Sequence, residues 1–173
     1  MPQLTYLNLI LTAHMDFKHV KGDWPKLPKL LHLSISALVD HDSPAEGFWG
    51  TTMSNLRISG LRNLLSRMPV LYSLKLSHID RGWGSIITAL QRRALPLCTL
   101  EIEDSYIKTK ALVKLFNQRG LGSDYPIDNF AIRRYPALPL YVKPYLEGLC
   151  QNLEWESVCE ADESWKEFCE GYV

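Results

Sequence analysis

The sequence predicts an α/β protein of one domain, residues 1–173, built as an open solenoid of about six irregular, leucine-rich units. The first observation is a skeleton L-x-x-L-x-L that begins at Leu4, Leu30, Leu71 and Leu97, with isoleucine as the last residue in two copies. The second is spacing, because Leu4 to Leu30 and Leu71 to Leu97 are each 26 residues. The third is that amphipathic helical patterns follow the later copies, so strands and helices alternate.

The first two units each contain a short strand. Apolar residues at positions i, i+3 and i+5 suit a bend that enters a strand, in which Leu7 and Leu9 face one side and the residues between them face the other. Residues 16–23 are polar and predict a loop. The second unit repeats the pattern over residues 27–35.

A loop insertion at residues 40–52 is predicted because Leu30 and Leu71 are 41 residues apart. Proline, glycine, serine and aspartate are frequent in that segment, as they are in loops. An amphipathic helix is expected next, with Ser54 as its N-cap and Leu65 near its end.

Two further helices are predicted after the third and fourth strands. Ser85 is expected to cap the first of them and Thr109 the second, which ends at Gly120. The fifth skeleton begins at Ile127 and the sixth at Cys150.

The last part of the chain is predicted to contain two more helices. Residues 138–150 read as a helix, with Pro144 near its first turn. A short acidic helix over residues 162–170 is expected to close the domain, since a solenoid needs a polar last unit.

These residues resemble a leucine-rich repeat, and the resemblance covers nearly the whole chain. A proline two residues before the first leucine, at Pro2, Pro28 and Pro69, is similar to the irregular repeats of fungal F-box-type proteins. The resemblance implies a curved solenoid, with parallel strands on the concave face and helices outside. It also implies target recognition for ubiquitin ligation when such a domain is joined to an F-box. No F-box pattern is visible, and a chain that starts inside a repeat is expected to lack that adaptor-binding half.

The chain departs from the family at the turn after each strand. The family places asparagine or cysteine three residues after the last strand leucine, where it hydrogen-bonds the turn. Those positions hold Thr12, Leu38, Ile79 and Ser105. We therefore expect no asparagine ladder and less regular turns.

The outward-facing residues of the strands are the first candidate site. In this architecture the leucines face the core, and the intervening side chains form a surface that runs from neutral to acidic. We predict that this surface binds a protein or peptide partner, and a solvated strand face without a partner is the alternative. The candidate partner-binding residues in the strands are Tyr6, Asn8, His32, Ser34, Ser73, Lys75, Thr99, Glu101 and Glu103.

Phe48 and Trp49 are the second candidate site. They are large apolar side chains in the polar insertion, and exposed aromatic residues in loops are frequent interface anchors. The alternative is that they fold back and cover the end of a repeat.

Two clusters of basic residues have structural interpretations. Arg119, Arg133 and Arg134 predict a small basic spot that neutralises the acidic end of the chain. Lys110 and Lys114, with Lys108, are spaced as one solvent-facing helix surface.

Composition argues against several classes of partner and location. The net charge is +0, so no field favours nucleic acid or an anionic membrane surface. No apolar stretch reaches the roughly 18 residues of a membrane helix. None of the four cysteines forms C-x-x-C, which favours free thiols in a reducing compartment, the cytoplasm or nucleus.

No pattern of catalytic or metal-binding residues is present, so we predict a protein that is not an enzyme and needs no cofactor or metal. The five histidines lack H-E-x-x-H spacing, and G-x-S-x-G is absent. Two alternatives remain: an isolated repeat fragment without autonomous activity, and a small enzyme with an unrecognised site, such as a pair of Cys98 with His78. The partner's identity and the oligomeric state are not encoded in these patterns.

Two neighbouring substitutions test the predicted strand facing. Leu74→Asp is expected to destabilise strongly, because it buries a charge in the core. Lys75→Glu is expected to leave the melting temperature nearly unchanged, because Lys75 faces outward.

Overall fold

The computed structural model describes residues 4–11, 25–37, 61–79, 83–91, 95–105, 107–135 and 142–157 of the 173-residue chain. The elements, in chain order, are β1 (Tyr6–Leu11), β2 (His32–Ala37), α1 (Leu61–Leu65), β3 (Ser73–Ser77), α2 (Trp83–Gln91), β4 (Thr99–Glu103), α3 (Thr109–Arg119), β5 (Asn129–Tyr135), α4 (Val142–Glu147) and β6 (Asn152–Ser157). The predicted insertion 40–52, the N-cap Ser54 and the closing helix 162–170 lie outside the described residues.

The six strands form one open sheet in which every neighbouring pair is parallel and the strand order follows the sequence. The lateral register places the equivalent residues of the repeated skeleton side by side: Leu7 pairs with Leu33, and Leu74 with Leu100. The predicted α/β class with parallel strands is therefore confirmed. Within the described ranges, β1 and β6 do not pair with each other, so this six-stranded sheet is open, with β1 and β6 as its two edge strands.

The core lies between one face of this sheet and the helices. Leu74 and Leu76 of β3 are fully buried, in one cluster with Leu90 of α2, Phe116 of α3 and Leu146 of α4. A buried leucine stabilises the fold by roughly 2 kcal/mol relative to an exposed one. The apolar alternation along each strand thus determines which face the helices cover.

Two predicted helix starts differ from the structure. Helix α2 begins at Trp83, so Ser85 is not its N-cap. The indole of Trp83 is buried and its Nε1 donates to the carbonyl of Ile79 at 3.0 Å, which anchors an earlier start. Helix α3 begins at Thr109, and Lys108 is its N-cap without a side-chain hydrogen bond.

The end of α3 is as predicted, whereas α4 ends earlier than predicted. The N–H of Gly120 donates to the carbonyl of Phe116 at 2.8 Å. A Cβ at Gly120 would lie 2.6 Å from that oxygen, so only glycine fits. Helix α4 is described over Val142–Glu147 and ends three residues before the predicted end at residue 150, whereas the predicted start at residue 138 lies outside the described residues.

Candidate functional site: the polar face of the sheet

The polar face is the surface formed by the alternate, outward-pointing residues of the six strands. The sheet register arranges these residues in three rows that cross the strands. The first row is Tyr6, His32, Ser73, Thr99, Asn129 and Asn152; the second is Asn8, Ser34, Lys75, Glu101, Ala131 and Glu154; the third is Ile10, Ser36, Ser77, Glu103 and Arg133. The strand candidates of the sequence therefore lie on one continuous surface.

Exposure along the polar face falls from the edge strand β1 toward the middle of the sheet. Tyr6 and Asn8 are exposed, whereas Lys75 and Glu101 are half-buried. Ser77, which the alternation places outward, is only 5% exposed and offers little contact surface. Phe48 and Trp49 lie outside the described residues.

Lys75 joins the second and third rows. Its Nζ lies 2.8 Å from Oε1 of Glu101 and 2.5 Å from Oε2 of Glu103, both on the neighbouring strand β4. Partial burial lowers the pKa of Lys75, but its hydrogen bonds to these carboxylates outweigh burial and raise the pKa above its ordinary value. For Glu103, burial alone would raise the pKa. The ion pairs with Lys75 and Arg134 outweigh burial, so the pKa of Glu103 lies below its ordinary value.

Arg133 extends the ion pairs to strands β5 and β6. Its guanidinium donates two hydrogen bonds to the carboxylate of Glu154, at 2.9 and 2.8 Å, and one to Glu101 at 2.7 Å. The bidentate contact with Glu154 raises the pKa of Arg133 and lowers that of Glu154. Lys75 and Arg133 therefore share Glu101, and the charges of β3 to β6 form one network.

A fourth row, formed by His78, Asp104 and Arg134, continues this network at the carboxyl ends of β3, β4 and β5. Arg134 Nη2 lies 2.6 Å from Glu103 and 2.5 Å from Asp104, and His78 Nδ1 lies 3.8 Å from Asp104. Burial raises the pKa of Asp104, and the charge of Arg134 only partly offsets this. His78, Asp104 and Arg134 all have positive φ, of 57°, 45° and 51°. His78 and Asp104 directly follow β3 and β4, whereas Arg134 lies near the end of β5, where the pairing with β6 shifts register.

None of the residues of this fourth row was among the candidate partner-binding residues, although Arg134 was assigned to the basic spot and His78 to the alternative pair with Cys98. The available signal was their position, because each directly follows the last outward residue of its strand. Left-handed backbone is uncommon for residues other than glycine, and short-range sequence patterns did not indicate it here.

Ser105 supplies a side-chain hydrogen bond to the turn that follows β3. Its hydroxyl accepts from the N–H of Ile79 at 2.9 Å and donates to the carbonyl of Glu103 at 2.8 Å. Ser105 is fully buried, so water does not replace these contacts. A buried serine, rather than an asparagine, therefore provides the side-chain hydrogen bonds of this turn.

Arg119 does not belong to the predicted basic spot. It is buried, and its guanidinium donates to the carbonyls of Leu90, Leu95 and Leu97 at 3.0 to 3.1 Å. Burial lowers the pKa of Arg119. Its role is to satisfy the carbonyls at the end of α2 and before β4, whereas Arg133 contacts acidic residues as expected.

The first row of the polar face contains no acidic, lysine or arginine side chain, and its side chains on β4, β5 and β6 are joined by hydrogen bonds. Asn152 Nδ2 donates to Oδ1 of Asn129 at 2.7 Å, and Asn129 Nδ2 donates to the hydroxyl of Thr99 at 3.4 Å. At the adjacent amino-terminal rim, the thiol of Cys98 donates to Asp128 at 3.2 Å. A hydrogen bond with Cys98 raises the pKa of Tyr72, which is 45% exposed.

The suggested pair of Cys98 with His78 does not form. Cys98 precedes β4, whereas His78 follows β3, and Ser73 pairs with Thr99 while Ser77 pairs with Glu103. The two residues therefore lie at opposite ends of the strands, about 20 Å apart along the strand direction at 3.3 Å per residue.

The helix side of the molecule has an open depression of about 420 Å³ along α3. Lys110, Lys114 and Gln118 line it from a single helix. These lysines, with Lys108, are exposed, as predicted. Among the described residues, no group of three histidine, cysteine or acidic side chains is arranged to hold a metal ion. The same residues include no helix long and apolar enough to cross a membrane.

Comparisons with known proteins give no relative from which a function can be transferred. No protein-family model matches the chain, and neither a curated protein nor a solved structure matches it.

Proposed function

We propose that the chain is a protein- or peptide-binding module and that its binding surface is the polar face. The observation that carries this proposal is that side chains from six successive strands stand in lateral register on the sheet face opposite the core. A surface of this kind presents many short polar groups at fixed spacing, which suits recognition of an extended segment.

Similarity to leucine-rich repeats supports the same proposal. Parallel strands in sequence order, joined by helices on one face, fit a solenoid of stacked units in which the polar face is concave. The sequential contacts of α1 with α2, α2 with α3 and α3 with α4 agree with such stacking. We therefore propose that the domain is leucine-rich-repeat-like, non-catalytic and without a cofactor.

The polar face has a charged half, which is the ion-pair network around Lys75, Glu101 and Arg133, and a neutral half, which is the first row. The two halves suit different parts of a partner. The charged half is already paired, so a ligand ion there has to displace Lys75 or Arg133 from a carboxylate, which limits its gain. The first row is uncharged and includes Tyr6, His32 and Thr99, and tyrosine is frequent among residues that dominate binding energy. The neutral half is therefore the main anchor in this proposal, and the ion-pair network orients the partner.

The experiment is quantitative affinity capture with the 173-residue chain and a Ser73→Arg, Thr99→Arg variant. These two residues are adjacent in the first row, so the variant places two large cations in the neutral half. The matched control is Thr88→Arg, Gln118→Arg, which adds the same charge to exposed positions of α2 and α3. A partner retained by the parent and the control but lost by the face variant supports the proposal.

The opposite outcomes contradict it. Equal capture by all three proteins would move the binding surface away from the polar face. Capture by none would favour the alternative of an isolated repeat fragment without autonomous activity. Circular dichroism of each variant separates lost binding from lost folding.

A narrower proposal is target recognition for ubiquitin ligation, which rests on the resemblance to fungal F-box-type proteins. It requires that the domain be joined to an F-box. Fusing the chain to an F-box and measuring ubiquitination of the captured partner tests it, and a partner that binds without being modified argues for a binding role alone.

A further inference from the structure

Strand β1 forms one edge of the sheet and exposes apolar side chains there. Leu4 is 48% exposed, and Tyr6 and Ile10 are each 57% exposed. Among the described residues nothing pairs with the outer side of β1. This edge is separate from the charged part of the polar face.

The repeat shows how unusual this exposure is. The residues equivalent to Leu4 in the other five units are at most 3% exposed: Leu30, Leu71, Leu97, Ile127 and Cys150. In the strands, Leu7 and Leu9 are only partly buried, whereas their neighbours Leu33 and Ile35 are 2% and 1% exposed. The apolar row of the sheet thus continues to the β1 edge, where the part of the chain that the structure describes leaves it partly exposed.

The two edges of the sheet differ in charge. Residues 6–11 of β1 contain no charged side chain. The outward residues of β6 include Glu154 and Glu156, and exposed charges are a common means of preventing association at an edge strand. Strand β1 lacks that protection.

The backbone of β1 determines which partner register can form. The carbonyl of Thr5 accepts the N–H of His32, so it points toward β2. Because successive backbone groups alternate in direction along a strand, the N–H and carbonyl groups of Tyr6, Asn8 and Ile10 point away from β2.

We infer that β1 pairs with β1 of a second copy of this chain, antiparallel, about a two-fold axis through Asn8. In this register Tyr6 lies opposite Ile10, Leu7 opposite Leu9, and Asn8 opposite its own copy. The two residues of each pair lie on the same face of the sheet, as antiparallel pairing requires. Tyr6 and Ile10 form a cross-strand pair of an aromatic and a β-branched residue, which is a type of pair that stabilises sheets. The outward backbone groups then form about six hydrogen bonds between the copies.

A second copy suits this edge because the strand is self-complementary and carries no charge that repels its own copy. The interface is isologous, so it closes as a dimer and leaves β6 free. One short strand pair makes a small interface, and we expect a dissociation constant in the micromolar range.

Sedimentation equilibrium of the full chain tests the dimer. The parent is expected to form a dimer of the 19.8 kDa chain. Asn8→Lys places two ammonium groups on the axis and is expected to raise Kd about tenfold or more. The matched control, Asn152→Lys, makes the same change on the exposed edge strand β6 and is expected to leave Kd within about twofold.

Hydrogen exchange of the parent is the second measurement and does not depend on a variant that folds. Dimerisation is expected to slow exchange at the amides of Tyr6, Asn8 and Ile10, while those of Leu7 and Leu9, already directed to β2, change little. The inference is overturned if the parent remains monomeric at about 100 μM, a concentration about a hundredfold above a dissociation constant of about 1 μM. Dimerisation without this alternating protection, or equal weakening by both lysine variants, also overturns it.

Discussion

Adjacent residues in β3 have opposite surroundings. Leu74 is fully buried among the inward leucines, while Lys75 lies on the polar face between two carboxylates. The ion pairs of Lys75 change the expectation for its substitution, since a glutamate there would face Glu101 and Glu103. The outward position alone does not make Lys75 replaceable.

Leu74→Asp is expected to lower the free energy of unfolding by several kcal/mol, roughly 4 or more, because it buries an unpaired charge. Lys75→Glu is expected to lower it by about 1 kcal/mol, since partly exposed ion pairs contribute little each. Urea denaturation measures both values. A larger loss for Lys75→Glu than for Leu74→Asp would mean that the strand faces are reversed.

Arg119 is a buried cation whose partners are three backbone carbonyls rather than an acid. Arg119→Met retains the volume but leaves those carbonyls without donors, and each unsatisfied group costs about 1–3 kcal/mol. We expect a loss of roughly 3 kcal/mol in urea denaturation. Lys114→Met on the exposed face of the same helix is the control, expected within about 0.5 kcal/mol of the parent. Equal effects would argue against the three hydrogen bonds.

The turns that follow the strands show how neighbouring units are joined. Residues with positive φ end β3 and β4, and Ser105 bonds one turn to the next. The backbone N–H of His78 also donates to the carbonyl of Glu103, and that of Asp104 to Arg133. Each turn is therefore held partly by the following unit.

Ser105→Ala is expected to lower the free energy of unfolding by about 1–2 kcal/mol, because it leaves the buried N–H of Ile79 without an acceptor. Faster hydrogen exchange at Ile79 should accompany the loss. Ser66→Ala removes an exposed hydroxyl bond to Asn63 and should change stability by less than about 0.5 kcal/mol. Unchanged exchange at Ile79 in Ser105→Ala would contradict the assigned contact.

At the scale of the whole molecule, the ion-pair network links four of the six strands. Lys75, Glu101, Arg133 and Glu154 lie on successive strands, β3 to β6, and each contacts the next. Several carboxylates in this network are ionised partners of a cation. Protonation of these carboxylates by acid therefore removes contacts between several strands.

The pKa of Glu103 gives the sign of the pH dependence. Because pairing lowers this pKa below its ordinary value of 4.5, ionised Glu103 stabilises the fold fully above pH 4.5, and the contribution is lost as pH falls through the folded-state pKa. The raised pKa of Asp104 acts in the opposite direction and offsets part of the loss.

The free energy of unfolding, measured with urea, is expected to be lower at about pH 3.5 than at pH 7. Glu103→Gln should lose about 1 kcal/mol at pH 7 and show a smaller decrease on acidification. An identical pH dependence in Glu103→Gln and the parent would show that Glu103 is not ionised in a stabilising pair.

The six strands, the face on which each strand residue lies and the α/β class were predictable from the amino-acid sequence alone. Those features depend on alternation over a few residues, and the repeated skeleton from Leu4 to Trp155 places every strand in the same register. Helix starts were less predictable, because the buried indole of Trp83 extends α2 beyond the local capping signal at Ser85.

The ion pairs and the burial of the outward and turn residues could be known only from the tertiary structure. Lys75 reaches Glu101 across 26 residues, and Arg133 reaches Glu101 across 32, so these pairs exist only after the strands align. The sequence grouped Arg119 with Arg133 by charge, but packing buried the first and left the second on the sheet face. The sheet face on which a strand residue lies follows from local periodicity. Ion pairing and the burial of a charge depend instead on residues that folding brings together from distant parts of the chain.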